Sequence, residues 1–246
     1  MTNQEKYLLP LSIIIAALLI VGAVIYSAGL KNVERPEAEK SKEKPVSSGV
    51  ENVLPISEKD HPRGNPEAPV KIIEFSDMEC PFCKRFHQTM LTVMEEYGKD
   101  GKVVWVYRHY PIEQLHSKAK KAALAAECAA ELGGDSGFWN YLDKYFEITP
   151  SNNLINLSDL PKIAKDIGLD KSRFEECLES GRYDELIKEQ TQNALDSGSR
   201  GTPYSVLISK DGEKSSINGA LPYEDFEGQD GVMQKGVRAL IEEALR

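Results

Sequence analysis

The 246-residue sequence has only four cysteines, two tryptophans and four histidines, and no long run of Lys or Arg. So few cysteines exclude a disulfide-dense mini-protein, and a chain of this length buries a core without staples. Oxidised cysteines would therefore need a reason other than stability alone. With 30 Lys+Arg against 39 Asp+Glu, a formal net charge of -9 and no basic cluster, the composition argues against a nucleic-acid binder, because phosphate contacts need grouped cations. A hydrophobic share of 41% with 28% charged residues excludes collagen-like and disordered chains. No internal repeat is present, and the length predicts one to two domains. Charges nearly cancel over residues 1–60, so the acidity belongs to the remainder.

From Leu8 to Tyr26 the chain carries nineteen residues without a charge, long enough for a membrane-spanning helix, which needs roughly 20 apolar residues. The competing reading is a cleaved secretory signal ending near Ser27-Ala28-Gly29, although its apolar region would be only about 7–15 residues long. Either reading takes the rest of the chain through a membrane. Lys31, Arg35, Lys40, Lys42 and Lys44 follow the run and by themselves favour an inward C-terminal side. They alternate with Glu34, Glu37, Glu39 and Glu43, and the cysteine chemistry points outward, so an extracytoplasmic domain on a single-pass anchor (1–30) is expected. Residues 31–60 are polar, with Pro36, Pro45, Pro55 and Ser47-Ser48-Gly49, and read as a flexible linker. As a coil it would span roughly 30 Å on average.

The folded part is expected over 61–246. Gly64-Asn65-Pro66 and Ala68-Pro69 are turn chemistry before the β-branched run Val70 to Phe75, a buried strand by composition. Phe86, Met90, Val93, Met94 and Tyr97 follow at helical spacing, ended by Gly98 and Gly101. A second strand covers Lys102 to Tyr110, which implies a βαβ unit with parallel strands. From about 111 to 197 the pattern is helix after helix: Ser117 to Leu132, Phe138 to Phe146, a segment stopped by Gly168, one opened by a Ser172/Glu175 capping box and stopped by Gly181, and Tyr183 to Leu195. Beyond Gly201-Thr202-Pro203 a hairpin turns at Asp211-Gly212, and a last helix is expected from about Val232 to Leu245. The fold class is α/β: about four strands, helices against them and an all-helical insertion.

Cys80-Pro81-Phe82-Cys83 stands at a strand-to-helix junction. This spacing brings both sulfurs within bridging distance, and an N-cap position exposes the first to the helix dipole, which stabilises a thiolate. Lys84 and Arg85 favour that anion, while Asp77 and Glu79 oppose it; a depressed Cys80 pKa is expected. Zinc would need two more ligands in paired spacing. Cys128 and Cys177 are 49 residues apart, and His61, His87, His109 and His116 are not in ligand spacing with them. Redox chemistry is the reading, with an inert structural disulfide or a metal site as its competitors, and no metal or cofactor is expected. Glu74 lies on a strand predicted to be buried, where an unpaired carboxyl should titrate high; an edge-strand position facing water is the alternative. His87, one turn past Cys83, could touch its thiol, but packing or surface histidines are the plainer reading for it, His109 and His116.

Glu74-Phe75, Cys80-Pro81-Phe82-Cys83, Arg108-His109-Tyr110-Pro111, the helical insert and Gly201-Thr202-Pro203, in this order, resemble a DsbA-like thiol:disulfide oxidoreductase of the membrane-anchored, BdbD-like branch. The resemblance runs from about Asn65 to the C-terminus. It implies a thioredoxin-like fold with an inserted helical subdomain, an exposed nucleophile at Cys80, a resolving partner at Cys83, and a buried acid at Glu74 that passes protons to it. It further implies that Pro203 is a cis-proline facing the cysteines, the alternative being a plain strand-entry turn. Thr202, Pro203, Pro81 and Phe82 would then bind an extended peptide. Where many relatives carry His, Phe82 offers neither donor nor charge. Cys128 and Cys177 each project from an apolar helix face; two free thiols are possible there, but an oxidising compartment favours a bridge between them. The implied function is insertion of disulfides into extracytoplasmic proteins, with reduced secreted or membrane proteins as substrates and a DsbB-like or VKOR-like quinone-linked membrane oxidase as partner. The alternatives are a reductase or isomerase using the same cysteines, and a membrane-anchored binding module with inert disulfides.

Overall fold

The computed structural model describes residues 49–246, so the apolar run at 8–26 and most of the expected linker lie outside the described residues. Among the described residues no helix is long and apolar enough to cross a membrane. Pro62–Gly64 forms a short strand β1, Val70–Ser76 forms β2 and Val103–His109 forms β3. Strands β2 and β3 are parallel and are joined through helix α1, Pro81–Val93, as the βαβ reading requires. Tyr204–Ile208 (β4) and Lys214–Asn218 (β5) make the expected hairpin, and β4 runs antiparallel to β2. The sheet order is β1-β3-β2-β4-β5. It has five strands rather than four, because β1 occupies residues that read as turn chemistry. Pro62 fits there since β1 is an edge strand, where a missing N–H need not break a ladder.

Between β3 and β4 lie α2 (Ala119–Ile148), α3 (Leu160–Asp166), α4 (Lys171–Ser180) and α5 (Asp184–Asp196). Helix α2 takes in both the Ala-rich and the aromatic segments, with a kink at Gly134, whose φ of 62° suits a residue without Cβ. The Ser172/Glu175 capping box is corrected. Asp170 caps α4 two residues earlier, its carboxylate accepting the Arg173 N–H at 2.9 Å, where negative charge meets the positive end of the helix. Cys128 on α2 and Cys177 on α4 are disulfide-bonded, with Cα atoms 5.7 Å apart. The last helix also starts later than expected, as α6 over Val237–Ala244. The residues before it close a small ribbon of β6 (Phe226–Glu227) and β7 (Met233–Gln234), turned by Gly228 to Gly231.

Two cores flank the sheet. On one face Val70, Ile72, Trp105 and Tyr107 pack with α1, the insert and α6. On the other, Ile73, Phe75, Val106 and Val206 meet Ala194 of α5 together with Val50 and Val53. These last two correct the linker boundary, which was placed at residue 60. The segment 49–60 is a strap that closes the second core, held by apolar burial of Val50 and Val53 and by a buried ion pair between Asp60 and Arg108. Spacing gave no hint of this, because Val50, Val53, Leu54 and Ile56 make a short run, broken by Pro55, with no sustained period.

Candidate active site

Four residues separate the end of β2 from helix α1. Cys80 takes the N-cap with an extended backbone (φ -78°, ψ 124°), and Pro81 takes the first helical position, where no N–H is needed. Register brings the second half of the site to the same end of the sheet. Phe75 of β2 pairs with Tyr204 of β4, so the residues just before Tyr204 sit beside the end of β2. The Thr202–Pro203 peptide bond there is cis. The Thr202 carbonyl lies 3.6 Å from Cys80 Sγ and accepts its thiol hydrogen.

That contact corrects one expectation: Cys80 is only 4 % exposed, because the Thr202 loop lies against its sulfur. Pro81 and Phe82 are the exposed members of the motif, Phe82 at 55 % with the Arg85 guanidinium 5.3 Å from its ring centre. Cys83 is fully buried, and the Asp77 N–H donates to its Sγ at 3.4 Å. Lys84, expected beside the thiolate, instead donates to the Thr149 carbonyl at 2.6 Å and ties α1 to the insert.

The two thiols are pushed in opposite directions. A hydrogen bond from the Cys83 thiol, aided by the Thr202 side chain and by the backbone of Cys83 and Phe82, overcomes burial and lowers Cys80 to about 6. Cys83 rises well above the ordinary thiol value, first through burial and then because it donates to Cys80. At neutral pH the pair therefore holds one thiolate, at Cys80. Both cysteines are free thiols here, so the geometry is that of the reduced couple.

Glu74 sits on the central strand and is 1 % exposed, which excludes the water-facing alternative. Burial raises its carboxyl to about 7, although Ser76 and Trp105 pull it down; the Trp105 indole donates to it at 2.9 Å. A raised pKa means that Glu74 contributes most to stability below the ordinary carboxyl value, and that this contribution is lost as pH rises through about 7. Glu74→Gln keeps the shape and an acceptor for Trp105. In the oxidised protein it is expected to raise unfolding free energy by about 2–3 kcal/mol at pH 8.5 and to change it little at pH 4. Denaturant titrations at the two pH values check this, and equal shifts at both would count against a buried ionising carboxyl.

The histidines fall elsewhere. His87 bonds to Asp143 at 2.9 Å rather than to Cys83, and His109 bonds to the buried Glu127 at 3.0 Å. His116 bonds to Asp77 Oδ2, which also accepts the Ile112 N–H. Asp77 thus ties the loop after β3 to the turn that carries Cys80. No cluster with metal-ligand geometry occurs among the described residues.

A thiolate at a helix start, its buried partner thiol, a buried acid beneath and a cis-proline loop above form one arrangement, and residues 57–228 match the thioredoxin family (Thioredoxin_4). The chain belongs to the thioredoxin family. Within that family its likeness is to the DsbA-like thiol:disulfide oxidoreductases. It is 25% identical over 235 residues to the probable disulfide bond formation protein D of Bacillus anthracis, covering 91% of this chain and 93% of that one. DsbA2 of Pseudomonas aeruginosa superposes with a TM-score of 0.57 at 28% identity, over 68% of this chain and 88% of that chain. Oxidised BdbD of Bacillus subtilis shares the fold, with a TM-score of 0.63 at 22% identity, over 77% of this chain and 95% of that chain. A Na(+)/H(+) antiporter NhaA 1 of Mycolicibacterium gilvum is 36% identical over 133 residues, which are 54% of this chain and 20% of the antiporter. The chain thus spans about a fifth of the length of such relatives.

The family's fold accounts for the residues that spacing alone missed. Ser76, Trp105 and Tyr107 line the sheet face beneath the cysteines together with Glu74. Strand alternation held a signal for them, since Ser76 is two residues from Glu74, and Trp105 and Tyr107 share a face of β3. Asp77 carried no such signal, because its partners Ile112 and His116 come from another loop.

Proposed function

We propose that the chain is a thiol:disulfide oxidoreductase that donates its Cys80–Cys83 disulfide to reduced secreted or membrane proteins. The observation that carries this reading is the opposed titration of the two thiols at one helix start, with Cys80 near 6 and Cys83 far above it. A substrate thiolate attacks Cys80 Sγ of the disulfide, and Cys83 leaves. A second substrate thiolate then attacks the mixed disulfide and releases Cys80, the better leaving group because its thiolate is the stable one. Thr202, Pro203, Pro81 and Phe82 take an extended peptide beside the sulfur, and the peptide pairs with the backbone of Thr202 just ahead of β4. Oxidised equivalents return through a quinone-linked membrane oxidase of the DsbB or VKOR kind.

The same reading places the domain on the extracytoplasmic side, held by residues 8–26 as a membrane anchor. The bonded Cys128–Cys177 pair supports an oxidising compartment. Protease added to intact cells should release the domain; full protection would sink this placement. Direction is tested by equilibrating the Cys80–Cys83 couple with glutathione buffers. A potential above about -200 mV is expected, whereas one below about -270 mV would make the protein a reductant.

A further inference from the structure

The sheet face beneath Cys83 carries more polar groups than its hydrogen bonds use. Strand alternation puts Glu74 and Ser76 on the side of β2 that faces α1. Register places Tyr107 of β3 and Ser205 of β4 on either side of Glu74. All four are buried, and the hydroxyls of Ser76, Tyr107 and Ser205 have no hydrogen-bond partner. Three hydroxyls thus stand around one buried carboxyl, none of them held by a fixed protein partner.

Ser76 is distinguished among them by what it faces. Its hydroxyl eases the charge of both Glu74 and Cys83, opposing burial in each case. The hydroxyl eases Tyr107 in the same way and is fixed to none of the three, so it can turn toward whichever is ionised; the Asp77 N–H beside it already donates to Cys83 Sγ at 3.4 Å. Tyr107 faces the same two groups, but burial and their negative charge hold its proton tightly. The other titratable groups facing this site are Cys80 from α1 and Asp77 at the end of β2.

We propose that the Ser76 hydroxyl is the relay that carries a proton between Glu74 and Cys83. The inference rests on the disulfide-donor reading above and names the path that reading leaves open. When a substrate thiolate forms its bond to Cys80 Sγ, the Cys80–Cys83 bond breaks and its electron pair stays on Cys83, which is reduced as the substrate sulfur is oxidised. Ser76 gives its hydroxyl proton to the Cys83 thiolate and takes the carboxyl proton of Glu74. The products are a Cys83 thiol, a Glu74 carboxylate and an unchanged serine. Reoxidation runs the same path backwards. A buried thiolate with no such path would be costly, since burial disfavours the charged form.

The test uses the oxidised protein and a peptide with one cysteine, following mixed-disulfide formation at Cys80 by acid quench and mass spectrometry between pH 5 and 9. Rates are normalised to the peptide thiolate. Ser76→Ala is expected to slow the step by about tenfold at pH 6, the loss of one hydrogen bond to a charged group, and to move its high-pH decline upward by about one pH unit. Thiolate absorbance of Cys80 should still titrate near 6, and the melting temperature should change little, which separates a relay from a packing role. The Glu74→Gln/Ser76→Ala double variant should be no slower than Glu74→Gln alone. A Ser76→Ala profile that superimposes on the parent, or losses that multiply in the double variant, would overturn the relay. If Glu74→Gln leaves the profile unchanged as well, the proton role of Glu74 falls too; if it alone alters it, only the relay fails.

Discussion

Cys80→Ser is expected to lower the rate of disulfide transfer to a reduced protein by at least about a thousandfold, because a serine hydroxyl neither ionises near neutral pH nor forms the sulfur–sulfur bond. Cys83→Ser should behave differently. Its reduced Cys80 still attacks a protein disulfide, but no Cys83 thiol is there to resolve the product from within, so mixed disulfides should accumulate and appear on non-reducing gels. Alkylation of the reduced parent by iodoacetamide should reach half its maximal rate near pH 6, the value to which Cys80 is lowered. The sign of the linkage follows from that direction. A depressed thiol stabilises the reduced fold fully above its ordinary value, and this stabilisation is lost as pH falls through about 6. At pH 7 about 1.4 kcal/mol remains, which corresponds to about 30 mV in favour of the reduced form. The raised Cys83 adds nothing at that pH, since it is protonated in the folded and unfolded chain alike. A Cys80→Ser protein that still oxidised substrate at the parent rate would leave the binding-module reading standing instead.

Arg108→Met should destabilise the domain by about 3–5 kcal/mol, the largest stability loss expected of any single change here. Arg108 is buried on the face opposite the cysteines, and each of its donors is used. Its Nε and one terminal nitrogen clamp Asp60 at 2.7 and 2.9 Å. The remaining hydrogens go to the carbonyls of Leu54 and Pro55 and to Asn193 Oδ1. Removing the guanidinium strands a buried carboxylate and frees the strap at 49–60 from the second core. Faster trypsin cleavage after Lys59 should accompany the loss, with Cys80 still titrating near 6 because the site lies across the sheet. Replacing Asp60 by Leu in the same chain should recover part of the stability, since an apolar pair avoids the unpaired charge. Parent-like denaturation of Arg108→Met would show that the strap contributes little to the fold.

Much of the site was readable along the chain because its chemistry is local. Cys80, Pro81 and Cys83 lie within four residues, and a strand followed by a capped helix fixes their relation. Glu74 was readable as a residue in a buried run, though its water-facing alternative could be excluded only by the sheet order, which puts β2 between β3 and β4. Thr202 and Pro203 were placed by resemblance; nothing in their own neighbourhood shows which cysteine they meet. The strap, the edge strand β1 and the late start of α6 were missed. The strap and β1 are held by partners distant in sequence, and α6 starts late because residues 226–234 pair as a two-stranded ribbon too short to show a period.

By itself, then, the sequence determined the alternation of strand and helix, the redox pair at a helix start, and the helical insert, because periodicity, capping and turn chemistry act between near neighbours. The downward push on Cys80 was legible too, since its largest cause is Cys83 three residues on, but only the tertiary structure decided how covered Cys80 is, how burial raises Cys83, and what surrounds Glu74. Those properties come from burial and from hydrogen bonds between strands far apart in the chain, and a pKa responds to that surrounding rather than to the residue that carries the proton.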